Sequence, residues 1–83
     1  MCDEVHVYIE IPAVYGRFEA VFGMKASFED NLCLFFKLIE NSLKDGYMPE
    51  HFRIYEKNTL QMMSRVIPLI NLGVRDGMTF IVF

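Results

Sequence analysis

The 83-residue sequence predicts one α+β domain, in which a mixed sheet packs against a single helix. Three observations carry that prediction. Apolar residues alternate with period two over residues 4–11 and again over 17–22, and a helical-period apolar stripe follows Ser27. Apolar residues then dominate again in the stretch 78–83. For so short a chain, the order hairpin, helix, further strands leaves one core and one economical packing, with residues 1–83 read as a single domain.

Val5, Val7, Ile9 and Ile11 alternate with His6, Tyr8 and Glu10, so residues 4–11 form a strand with the valines and isoleucines facing the core. Pro12 ends this strand, and Ala13-Val14-Tyr15-Gly16 supplies a turn. Alternation resumes over residues 17–22 with Phe18, Ala20 and Phe22 on one face, completing a hairpin. Ser27 opens the helix, with Asp30 three residues on as a shortened capping box and Glu29 beside it in the first turn. Phe28, Leu32, Phe35, Phe36, Ile39 and Leu43 then make one apolar face, running to about Lys44. Asp45-Gly46 breaks the helix and a loop passes through Pro49.

Phe52-Arg53-Ile54-Tyr55 reads as a third strand, and Lys57-Asn58 turns it into a short fourth piece around Leu60 to Met63. Pro68 and Leu69 begin a compact helical or 3-10 turn. Asp76-Gly77 turns the chain into the final strand, Met78 to Phe83. The first and last strands are both apolar enough to lie side by side in the middle of the sheet.

Composition narrows the function. A net charge of −3 and eight scattered basic residues provide no clustered surface for phosphate, which argues against a nucleic-acid partner. Cys2 and Cys33 do not make a disulfide framework. Residues 1–4 are acidic where a signal peptide would be basic. The longest apolar stretch, Leu32 to Ile39, contains Lys37 and falls short of the roughly 20 residues a membrane span needs. A reduced cytoplasmic setting is expected, with no membrane insertion.

The segment Pro68 to Phe83 resembles the closing stretch of ubiquitin-like domains, a Leu-x-x-Leu-Gly-Ile-x-x-Gly-x-x-Leu pattern before the last strand. Leu69, Leu72, Gly73, Val74, Gly77 and Phe80 occupy the matching places. Leu69 and Val74 are expected to plug the open end of the core. The resemblance implies a ubiquitin-like β-grasp fold, ββαββ with a mixed sheet on one helix. Among such proteins the chain is most similar to the small bacterial YukD-type family, which is associated with type VII secretion machinery. Conjugated modifiers and sulfur carriers of this fold need a flexible tail ending in Gly-Gly. This sequence stops at Phe83, inside the expected strand, so adenylation, thiocarboxylate chemistry and conjugation are not expected.

No nucleophile, base or metal cluster supports catalysis, and no cofactor is expected. His6 and His51 lack any recognisable spacing to acids or thiols. Cys2, Asp3, Glu4 and His6 are the one metal-binding alternative, opposed by the alternation of side chains on a strand and by fraying at a terminus. Cys33 reads as a small packed apolar residue, and Asp45, Glu50 and Glu56 as solvated loop acids.

The surplus of apolar residues is more telling. With Ile54, Phe80 and Val82 facing the core, Arg53, Tyr55, Ile81 and Phe83 face outward, joined by Tyr8 and Val21 on the hairpin. A solvated sheet face should be polar, so Tyr8, Val21, Arg53, Tyr55, Ile81 and Phe83 form a candidate contact surface for a protein partner or for self-association. The resemblance implies the same location, since ubiquitin-like domains commonly bind through this face. A slip of one residue in register would exchange the two faces. Leu34 and Leu38 lie off the helix's core stripe, which calls for a homodimer or for a loop folded over them. Residues 60–67, with Met62, Met63, Val66 and Ile67, are the expected cover. The expected function is a non-conjugated ubiquitin-like interaction module, an accessory or regulatory component of a bacterial secretion system. A small metal- or thiol-dependent protein and a truncated sulfur carrier or modifier are the alternatives.

Overall fold

The computed structural model describes residues 3–39 and 52–83. Strand β1 spans Glu4–Ile11 and pairs antiparallel along its whole length with β2, Gly16–Gly23, from Glu4 opposite Gly23 to Ile11 opposite Gly16. Val5, Val7, Ile9 and Ile11 are all buried, as the alternation requires. Pro12 leaves the strand by opening a 3-10 turn, Pro12–Val14, and Tyr15 takes a left-handed φ of 52° before β2 begins.

Helix α1 spans Phe28–Ile39. Ser27 Oγ accepts the Asp30 N–H at 3.2 Å, and Glu29 and Asp30 lie in the first turn, where the helix dipole favours negative charge. Its buried face is Phe28, Asn31, Leu32, Phe35 and Phe36. The expected continuation through Leu43 and Lys44, the break at Asp45-Gly46 and the loop at Pro49 lie outside the described residues.

Strand β3, Ile54–Glu56, is shorter than the expected Phe52–Tyr55, although Phe52 is buried in the core. The expected fourth piece at Leu60–Met63 reduces to a single bridge between Tyr55 and Met62. Its cause is local. Leu60 sits at φ 58° and donates its N–H to the Glu56 carbonyl at 2.8 Å, which curls the chain where a strand would need it extended. A 3-10 turn at Leu69–Asn71 follows, and Gly73 and Gly77 take φ values of 71° and 86° on the way into β4, Thr79–Val82.

The sheet order is β2-β1-β4-β3. β1 and β4 run parallel at its centre, with Tyr8 beside Thr79 and Glu10 beside Ile81, and β3 closes the other edge antiparallel to β4. This is the mixed sheet and single helix of a ubiquitin-like β-grasp fold. Seven of the eight phenylalanines join in one network of mostly edge-to-face rings, from Phe18 through Phe35, Phe22 and Phe28 to Phe80, and from Phe35 through Phe36 to Phe52. Leu69 and Val74 are buried at the open end of this core.

Three expectations are corrected. Glu56 is no solvated loop acid. It follows Ile54 on the inward side of β3 and is buried, with Oε2 accepting the Thr59 N–H at 2.7 Å and the Thr59 hydroxyl at 2.9 Å. Cys33 is exposed on α1, because the core stripe runs through Leu32 and Phe36 on either side of it. Residues 60–67 do not cover Leu34 and Leu38, which stay 65% and 83% exposed. Met63 packs on the core, but Met62, Val66 and Ile67 are exposed. The segment anchors instead at the start of α1. There the Arg65 carbonyl accepts the Glu29 N–H at 3.0 Å, the Arg65 guanidinium meets Glu29 Oε1 at 3.0 Å, and it lies 4.4 Å from the Phe52 ring centre.

Candidate functional site

α1 covers one face of the sheet and leaves the other open. The pairing places outward residues in rows across all four strands. One row reads Arg17, Glu10, Ile81, Tyr55, and the next reads Glu19, Tyr8, Thr79. Val21 lies opposite His6 in a third row. Beyond the first row, Arg53 and Phe83 face each other at the ends of β3 and β4, exchanging N–H and carbonyl bonds at 3.0 Å in both directions.

The six sequence-selected residues therefore fall into separate groups. Tyr55, Ile81 and Phe83 come together, with Arg53 beside them. The Tyr55 and Phe83 rings meet edge to face at a centroid distance of 5.7 Å, and Phe83 remains 55% exposed. It is the phenylalanine left out of the core network. Tyr8 is half-buried beneath Arg17, whose guanidinium lies 4.7 Å from its ring centre. Val21 stands alone beyond it, at the far edge strand.

What divides these groups escaped the sequence reading. Lys57 Nζ and Glu10 Oε2 meet at 2.7 Å, bridging from the end of β3 to β1 across the central strand β4. The bridge is polar and lies between Tyr8 and the Tyr55–Ile81–Phe83 cluster, so the apolar surface is confined to the β3–β4 side. A sequence signal for it existed: Glu10 occupies an outward position of its strand and Lys57 opens the turn directly after β3, two residues beyond outward Tyr55. Their cross-strand distance depends on strand order, which a single strand's pattern does not carry.

Among the described residues, no three histidine, cysteine, aspartate or glutamate side chains stand where they could share a metal ion. His6 donates its backbone N–H to Asp76 Oδ1 at 2.8 Å, tying β1 to the turn before β4. Cys2 and His51 lie outside the described residues. Glu56 is held below the usual carboxylate range, chiefly by the Thr59 backbone N–H, against the opposing effect of burial. No helix among the described residues is long and apolar enough to cross a membrane.

No protein-family model matches the chain, and no curated protein matches it. Solved structures do. The ubiquitin-like domain of the Mycobacterium tuberculosis type VII secretion system protein EccD1 superposes with a TM-score of 0.62 at 14% identity, covering 99% of this chain and 98% of that one. A ubiquitin-like domain of an Arabidopsis thaliana protein gives 0.69 at 15% identity, over 99% of this chain and 78% of that one. The ubiquitin of Caldiarchaeum subterraneum gives 0.64 at 21% identity, over 95% and 90%. At these identities the likeness establishes the fold, and one structure that shares it comes from a secretion protein.

Proposed function

We propose that this chain is a ubiquitin-like protein-interaction module that works in the cytoplasm by non-covalent docking, without catalysis or a cofactor, as an accessory component of a bacterial secretion apparatus. The observation that carries this reading is the Tyr55–Phe83 pair. Two aromatic rings stand edge to face on the open side of the sheet, next to Ile81, where no element of the described fold covers them. Aromatic anchors of this kind concentrate binding energy once a partner excludes water from them. Arg53 and the Lys57–Glu10 bridge supply a charged rim on either side. The likeness to the ubiquitin-like domain of EccD1 supports the secretion setting.

The test is site-specific photo-crosslinking from Phe83 in the native cell, followed by titration of the purified chain with the purified crosslinked protein. Tyr55→Asp and Phe83→Asp should each weaken binding by about tenfold or more while leaving the melting temperature close to wild type. Unchanged affinity in both variants would remove the sheet face from the reading.

A further inference from the structure

β2 is an edge strand, and its free side carries a pattern that matches itself. The Met24 N–H is accepted by the Asp3 carbonyl at 2.8 Å, which fixes the hydrogen-bonding phase of the hairpin. Phe22, Ala20, Phe18 and Gly16 direct their backbone groups toward β1, and Gly23, Val21, Glu19 and Arg17 direct theirs outward. Gly23 is already satisfied. Asn31 Oδ1 accepts its N–H at 2.8 Å and Asn31 Nδ2 donates to its carbonyl at 3.0 Å. Arg17, Glu19 and Val21 keep open backbone donors and acceptors among the described residues.

Charge selects what fits there. Arg17 and Glu19 project from the same outer face two positions apart, and neither forms an ion pair among the described residues. When this edge meets an identical edge antiparallel about a two-fold axis at Phe18, Arg17 of each copy stands opposite Glu19 of the other. That register also pairs the outward backbone groups of residues 17 and 19 with each other. Opposed residues on neighbouring strands lie about 5 Å apart, within reach of an ion pair. The register centred on Glu19 would set two like charges face to face, so the charges discriminate between alignments.

The same register gives two exposed apolar groups a place. Tyr15, 99% exposed at the hairpin turn, comes opposite Val21 of the second copy. A groove of about 200 Å³ between β2 and α1, whose walls include Ala20, Val21, Leu34 and Leu38, opens along the same edge. Leu34 and Leu38 are the apolar surplus that no other described element covers. We infer that this chain pairs with a second copy through its β2 edges, joining two sheets into one, with reciprocal Arg17–Glu19 contacts setting the register. The pairing does not use Tyr55 or Phe83 and is independent of the docking reading above.

Sedimentation velocity across a concentration series tests it. Wild type should show a concentration-dependent dimer. Arg17→Glu and Glu19→Arg, both exposed changes, should each weaken self-association by about tenfold or more, because each turns two attractions into two repulsions. An equimolar mixture of the two variants should recover the dimer, since every contact is then between opposite charges, while Tyr55→Asp should leave it intact. A chain that stays monomeric at millimolar concentration would overturn the pairing. So would single variants that dimerise like wild type, or a mixture that fails to associate although both variants melt like wild type.

Discussion

Asn31 and Gly23 are joined by two hydrogen bonds, one in each direction, that attach the helix to the end of the sheet's open edge. Asn31 Nδ2 also reaches the Ser27 carbonyl at 2.9 Å, so one buried amide holds the turn into α1 together. Asn31→Ala is expected to destabilise the fold by about 2–3 kcal/mol, because it strands buried backbone groups as well as losing its own bonds. Asn31→Asp should also destabilise, since it replaces the donor with an oxygen facing two carbonyls. Urea denaturation measures both.

Glu56 makes stability depend on pH. Its folded carboxyl titrates below the ordinary range, chiefly through the Thr59 N–H, so the folded state binds this proton less readily than the unfolded chain. Its contribution is therefore present above the unfolded carboxylate pKa and lost as pH falls through the folded one. Glu56→Gln should be less stable than wild type at neutral pH, and the difference should shrink in acid. Melting curves of both proteins from neutral to acidic pH read this directly.

Phe28 and Phe80 meet edge to face at 4.9 Å in the centre of the core. Phe80→Ala is expected to cost about 3–5 kcal/mol. A double-mutant cycle with Phe28→Leu and Phe80→Leu should return a coupling of about 0.5–1.5 kcal/mol, the excess over area burial expected of such a ring pair.

Leu60 holds a left-handed backbone while its side chain is mostly in solvent. Left-handed geometry costs a side-chain-bearing residue about 1–2 kcal/mol. Glycine gives back roughly half of that in unfolded-state entropy, at about 0.5–1 kcal/mol. Leu60→Gly should therefore stabilise the fold by about 0.5–1 kcal/mol, visible as a raised denaturation midpoint.

The elements legible in the sequence were those whose own residues repeat with a period. The hairpin, the Ser27-capped helix and the closing turn into β4 all carried local patterns, and the outward placement of Tyr55, Ile81 and Phe83 followed from alternation. Leu60 defeated the expected strand because one residue's φ leaves no trace in hydrophobicity. Asn31 was overlooked although it sits three residues after Phe28 and four before Phe35, on the core stripe itself, where a polar residue signals a required bond. Glu56 was assigned to a solvated loop although it stands two residues after Ile54, on the inward side of β3. The division of the outer face by Glu10 and Lys57 needed strand order, which is a property of the whole sheet.

The central seam of the sheet joins β1 to β4, and His6 is bonded to Asp76, 70 positions further along the chain. On a ribosome, residues 4–23 can form their hairpin early, but the other side of β1 has no neighbour until residues 77–82 have emerged. Through most of synthesis the nascent chain therefore presents Val5, Val7, Ile9 and Ile11 on a sheet with only two strands, too few to be stable alone. Closing so large a loop makes folding slow relative to a helical bundle of equal length. A circular permutant that carries β4 ahead of β1 through a crossover linker, needed because the two strands run parallel, would bring the seam together early and shift the late closure to the pairing of β3 with β4.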